Sequence, residues 1–227
     1  ADSELARKLS TLRVIKALRK RADVLSADPN YILRHYATEP DDEYYHLQWH
    51  YPQISLPRAW GLIADSSEVV ASGEVIVAVV DTGVLMDHPD LEGHLTDTGY
   101  DFISNAGVSN DGDGIDPDPD DPGDGVIVGS SSFHGTHCAG TVAASSNNAV
   151  GVAGASWNSD TRIMPIRVLG VGGGTEYDIL QGVRYAAGLE NDSGIRLSAD
   201  QRADIISMSL GGEGSSSASQ AVYTAAR

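Results

Sequence analysis

The spacing of apolar residues changes character along the chain. Between residues 3 and 20, Leu5, Leu9, Leu12, Ile15 and Leu18 recur at intervals of three and four, which predicts an amphipathic helix. Asp2 and Ser3 suit its start, and Arg19, Lys20 and Arg21 suit the negative end of its dipole. A strand-like run follows in ADVLSADPNYIL, residues 22–33, and then RHYATEPDDEYY, residues 34–45, reads as a polar, proline-broken linker.

From Glu74 onward the pattern is different. EVIVAVVD is a nearly unbroken β-branched run, as expected of a parallel strand covered on both faces. TRIMPIRVLG and ADIISMSLGG repeat the theme, although Pro165 has no N–H to give a ladder. Helical patterns lie between them, one from about His134 to Ala144 and one in EYDILQGVRYAAGL, where Leu180, Val183 and Ala187 share a face. Alternating strands and helices predict an α/β fold with a parallel sheet and right-handed crossovers.

Charge divides the chain the same way. The 227 residues carry a net charge of −17. Residues 1–38 hold eight Lys or Arg against four acids, a balance of +4, and every lysine lies before residue 21. The remainder holds seven Arg against 28 acids, a balance of −21. Two segments with different tasks are expected, attracted by opposite charge. The acidity argues against a nucleic-acid partner, and no 18-residue apolar run argues for a membrane span. The single cysteine, Cys138, excludes an internal disulfide and reads as a buried structural thiol.

Candidate chemistry sits where strands end and helices begin. Asp81 closes the first apolar run, at the end of a parallel strand where ligands bind. It either caps the turn or serves a site. His134 opens a helix, where the dipole disfavours imidazolium, and a neighbouring carboxylate would orient the ring, which suits a general base. Gly135, Ala139, Gly140, Ala143 and Ala144 would let that helix approach other backbone closely. His137 reads as a structural residue.

These residues carry a resemblance. VVDTGVLMDHPDL, then HGTHCAGTVAA, then ISMSLGG resemble, in that order, the subtilisin-like serine proteases (peptidase S8), with HGTHCAG closest to the proteinase K side of the family. The resemblance covers about residues 44–227. It implies a three-layer parallel-sheet fold, incomplete here, with Asp81 orienting His134 as general base. The family's GTSMA-type serine motif does not occur in the 227 residues, so the chain is expected to be the first half to two thirds of a catalytic domain and to hydrolyse no peptide in isolation. Residues 1–38 resemble the end of an inhibitory propeptide, with cleavage expected between Tyr36 and Glu43 and residues 39–227 forming the catalytic portion. Further implications are secretion, protein or peptide substrates, the propeptide as a partner, and a monomer when complete.

SMSLGG reads as a strand edge able to accept an extended peptide. By resemblance, Ser209, Leu210 and Gly211 would pair with the substrate, and Gly172, Gly173 and Gly174 would form the opposite edge. Calcium is the expected cofactor. In residues 111–124 seven aspartates, among them Asp111, Asp113, Asp116, Asp121 and Asp124, would repel one another without a cation. The resemblance implies a second site from Asp90, Asn148, the carbonyls of Val150 and Val152, and Gln48. Two other readings stay open: a non-catalytic calcium-dependent binding protein on a protease-like fold, and a metal-dependent hydrolase using Asp81, His134 and His137.

Overall fold

The computed structural model describes residues 2–29, 37–65, 73–127, 130–157, 159–212 and 216–227. The chain divides into two compact units, Ala1–Tyr36 and Ala37–Arg227. The first contains helix α1 (Asp2–Leu18). After it, Arg19 Nε donates to Ala27 O at 2.7 Å, and ion pairs join Arg19 to Asp28 and Arg21 to Asp23. These local bonds curl residues 19–28 into turns, so the strand expected from residue 22 is not formed through residue 29. Residues 30–33 of that expectation lie outside the described residues.

The second unit runs, in order, α2 (His50–Gln53), α3 (Leu56–Asp65), β1 (Val75–Asp81), β2 (Tyr100–Asp101), α4 (Ala106–Ser109), α5 (His134–Ala143), β3 (Thr161–Arg167), α6 (Glu176–Ala186), β4 (Ile205–Ser207) and α7 (Ser217–Ala225). The four strands form one parallel sheet in the order β2-β3-β1-β4. The sequence expectation of an α/β parallel sheet therefore holds. Of the third apolar run only Ile205–Ser207 pair as a strand, β4, at an edge of the sheet.

Alternation along β1 decides which helix each side chain meets. Ile76, Ala78 and Val80 enter one core with Met164, Ile166, Tyr185 and Ala186, on the side of α6. Val77 and Val79 enter the other core with Ile163, Leu91, Ala139 and Ala143, on the side of α5. Asp81 continues the odd-numbered series and so emerges on the α5 face. Ile76, Val77, Val79 and Val80 are each 6% exposed or less, and each such burial contributes about 1.5–3 kcal/mol. Together they outweigh the several kcal/mol that burying a nearby carboxylate costs.

Pro165 lies inside β3, opposite Val79. Ile163 N donates to His94 O and Arg167 O accepts from Phe102 N, so odd-numbered positions of β3 face the β2 edge. There residue 165 falls in the gap between the Leu95–Ile163 bridge and the start of β2, where no ladder donor is required.

The expected linker differs most. Residues 37–45 are part of the second unit: Thr38 N donates to Pro57 O, Asn147 N to Asp42 Oδ2, Ala149 N to Asp41 Oδ1, and Tyr44 N to Gly151 O. Its polar residues looked solvated because their partners are about a hundred positions away. Residues 34–36 lie outside the described residues. Among the described residues no helix is long and apolar enough to cross a membrane.

Candidate active site

Asp81 is 1% exposed, and its carboxylate must find donors. Oδ1 accepts the Thr82 N–H at 2.8 Å. His134 Nδ1 lies 2.8 Å from Oδ1 and 3.0 Å from Oδ2. A carboxylate only accepts, so Nδ1 carries the proton and Nε2 is left free to accept one. The His134 side chain is 46% exposed and lines an open cleft of about 1110 Å³.

Close backbone approach makes this contact. A Cβ on Gly135 would stand 2.1 Å from Gly83 O and 3.1 Å from Asp81 Cβ, so only glycine lets the first turn of α5 rest on the turn after β1. Gly135 N donates to Thr82 Oγ1 at 3.0 Å, and Thr82 Oγ1 donates to Asp121 Oδ2 at 3.0 Å. Leu85 N donates to Thr136 Oγ1. Ala139 and Ala143 are fully buried against the sheet, as their size suggested, whereas a Cβ on Gly140 would meet nothing closer than 4.0 Å. Phe133, the residue before the helix, takes φ 49°, an unusual conformation for a bulky side chain.

The other two candidates near His134 separate. His137 is exposed and lines a second cavity, beyond α5, with Phe133, Trp49 and His50. Cys138 instead reaches the pair: its Sγ lies 3.9 Å from His134 Nδ1. Burial pushes its thiol up, the Asp81 charge adds to that, and Ser209 opposes it. Among the described residues, Asp81, His134 and Cys138 are the one group of three such side chains whose ligand atoms converge within 4.8 Å. The set proposed for a metal hydrolase, with His137, is not assembled.

The same cleft is lined by Gly172, Gly173, Gly174, Ser209, Leu210 and Gly211. Gly172 and Gly173 take φ of 82° and 111° in a turn in which Gly170 and Gly173 exchange both backbone bonds at 3.0 Å. The Gly173 backbone is thereby committed to the turn. Gly174 is required on its own account, since a Cβ there would lie 2.1 Å from Val168 O.

A model of the Subtilase family (peptidase S8) matches residues 72–227. The chain belongs to the subtilase family. It is 39% identical over 212 residues to an extracellular protease of Xanthomonas campestris, covering 85% of this chain and 34% of that protein. It is 36% identical over 186 residues to thermitase of Thermoactinomyces vulgaris, covering 81% of this chain and 52% of that one. A solved protease structure from Pseudoalteromonas arctica has a TM-score of 0.69 and 43% identity, covering 82% of this chain and 55% of that one. The chain thus spans about a third to a half of the length of the subtilases it matches.

Within this subtilase the calcium candidates fall in two places. Asp90 is 2% exposed; its Oδ2 accepts Val152 N at 2.8 Å and its Oδ1 accepts Asn148 Nδ2 at 3.3 Å. Val150 N donates to Asn148 Oδ1, and Gly151, at φ 53°, lies where a Cβ would come 2.1 Å from Asp90 Oδ2. The loop is wrapped around the carboxylate. Gln48 does not join it: its Nε2 donates to Ala153 O and its Oε1 accepts from Ala153 N, both at 2.9 Å. Asp42, which the sequence reading passed over, does. It is 5% exposed, its Oδ2 accepts from Asn147 N, and its Oδ1 is buried without a partner. Burial pushes this carboxyl up, and the Asp90 charge adds to the effect.

The acidic insert is spent differently. Asp121 accepts from Gly123 N, Thr82 Oγ1 and Ser131 Oγ, and Asp124 from Ser132 N, Ser132 Oγ and Ser131 Oγ. Burial pushes Asp124 up, but the Ser132 and Ser131 bonds outweigh it and hold the carboxyl low. Asp111 pairs with Arg167, which is fully buried and also engages Asp101, Ser109 O and Thr82 O. Asp113 remains beside Asp116, whose carboxyl burial and that neighbour push up. Asp121 and Asp124 are separately engaged and close the insert onto the start of α5. The five aspartates do not converge on one centre.

Proposed function

We propose that the protein is a secreted, calcium-stabilised serine endopeptidase made as a precursor, whose catalytic acid–base pair is Asp81 and His134. The Asp81–His134 contact at 2.8 Å, on the rim of a cleft with two backbone edges, carries this reading. Asp81 holds the ring by Nδ1 and stabilises its charge once Nε2 gains a proton. A serine contributed by sequence outside these 227 residues would lose that proton as its oxygen bonds to the scissile carbonyl carbon. The proton then passes to the departing amine as the peptide C–N bond breaks, and water repeats the steps to release the acid. Ser209, Leu210 and Gly211 on one side and Gly172 and Gly174 on the other would pair with the substrate backbone.

Extracellular names among the relatives support secretion. Residues 1–36, a separate and cation-rich unit, support the reading as the end of a propeptide. The donor set at residues 42, 90 and 147–152 fits a hard cation. Asp42 and Asp90 would hold calcium with Asn148 and the Val150 and Val152 carbonyls, and the orphaned Asp42 Oδ1 supports this. A bound calcium there would neutralise two buried charges. The test is hydrolysis of an unfolded protein by the full-length polypeptide: turnover lost in His134→Ala is the expected result, and turnover undiminished in that variant would overturn the proposal.

A further inference from the structure

We propose that Glu176 makes the cleft select a cationic side chain on the acyl side of the scissile bond. The inference rests on the peptidase reading above and names its substrate preference. Glu176 follows the Gly172–Gly174 edge by two residues and opens α6. Glu176 lines the cleft, exposed, and Ser216 Oγ donates to its Oε1 at 2.8 Å, while no described residue donates a hydrogen bond to Oε2. The surface beside it is apolar: Leu169, Ile179, Met208, Leu210 and Tyr223 line the same cleft. A long aliphatic stem ending in a positive head fits that combination, since Lys and Arg lay their methylenes on apolar surface and keep the charge at a polar rim.

Among the described residues no lysine or arginine lines the cleft, and Asp124, the other described acid there, has both oxygens engaged by Ser131 and Ser132. Asp124 adds negative potential without offering a free acceptor. A peptide extended between the two edges presents alternate side chains to the floor, so one position before the scissile bond faces Glu176 and the next points away. The balance of −21 over residues 39–227 adds a field that draws cationic peptides towards the cleft.

The test uses the full-length protein and neutral peptides in which Lys, Gln or Glu replaces each of the four positions before the scissile bond in turn. At one position kcat/KM is expected to favour Lys over Glu by about tenfold at low salt, with the ratio shrinking as salt rises. In Glu176→Gln that ratio falls to about two, and in Glu176→Lys it inverts, an outcome that misfolding does not produce. Hydrolysis of all peptides with equal kcat/KM, or a ratio unchanged in both variants, would overturn the inference and leave the peptidase reading standing. Hydrolysis of none would overturn the peptidase reading itself.

Discussion

Gly135 sits against Gly83 so closely that a single methyl group at 135 would come within 2.1 Å of the Gly83 carbonyl oxygen. Helix α5 therefore rests on the turn that follows β1, and this contact brings the residue before it, His134, to Asp81. Gly135→Ala should force the helix start outward. Loss of stability by about 1–3 kcal/mol is expected, read as a lower denaturant midpoint. A larger relative loss in kcat should accompany it, because a displacement of about 1 Å can cost about a hundredfold in rate.

Asp81→Asn tests the role of the acid separately from its packing. Asn has nearly the same shape and still accepts from Thr82 N, but its amide can offer His134 Nδ1 a donor and so favour the wrong tautomer. In the full-length protein kcat should fall by about 10⁴, the scale known for replacing the triad acid in serine proteases, of which subtilisin is a worked case. Thermal stability should change little by comparison. A kcat within tenfold of wild type would show that Asp81 only caps the turn.

Calcium should act through Asp42. Saturating calcium is expected to raise Tm by several degrees, since binding to the folded state alone contributes about 2.7 kcal/mol at a hundredfold excess over Kd. In Asp42→Asn the increment should fall by half or more. The calcium-free variant should be no less stable than the calcium-free wild type, because the substitution removes one of two neighbouring buried charges. Differential scanning in calcium and in chelator reads both effects.

Asp101 gives a pH dependence of unusual sign. Burial pushes its carboxyl up to about 7, against the opposing pull of the Ile103 N–H and of Arg167. The folded state then holds a proton that the unfolded chain has already released, so stability falls as pH rises from about 4 to 7 and levels off above it. Asp101→Asn cannot release a proton. Relative to wild type, it should gain on the order of 2–4 kcal/mol across that interval and nothing above it, as followed by urea unfolding at a series of pH values. A stability difference between the two proteins that is flat from pH 4 to 8 would contradict this.

The parts of this arrangement that the sequence revealed are those that local patterns encode. β1 announces itself as a continuous apolar run, and the residue ending it is where a parallel sheet presents its chemistry. The small residues after His134 announced a close approach, and the structure realises it at Gly135, Ala139 and Ala143 but not at Gly140. What escaped notice depends on distant partners. Asp42 sits in a stretch with linker composition, and its buried carboxylate is engaged by Asn147 N, over a hundred positions away. Gln48 carries the right donor for a metal, yet nothing local reveals that Ala153 satisfies both ends of its amide. In the acidic insert, composition pointed to one cation, whereas Arg167, Thr82, Ser131 and Ser132 take up the charge separately. β2, two residues long, has no period to detect.

The most direct test of the catalytic assignment is covalent labelling of the full-length protein by a serine-directed sulfonyl fluoride, followed by intact mass and residual activity. A single adduct is expected to form in step with loss of peptide hydrolysis, with labelling at least a hundredfold slower in His134→Ala. Hydrolysis that persists in the reagent but stops when zinc is chelated would contradict it.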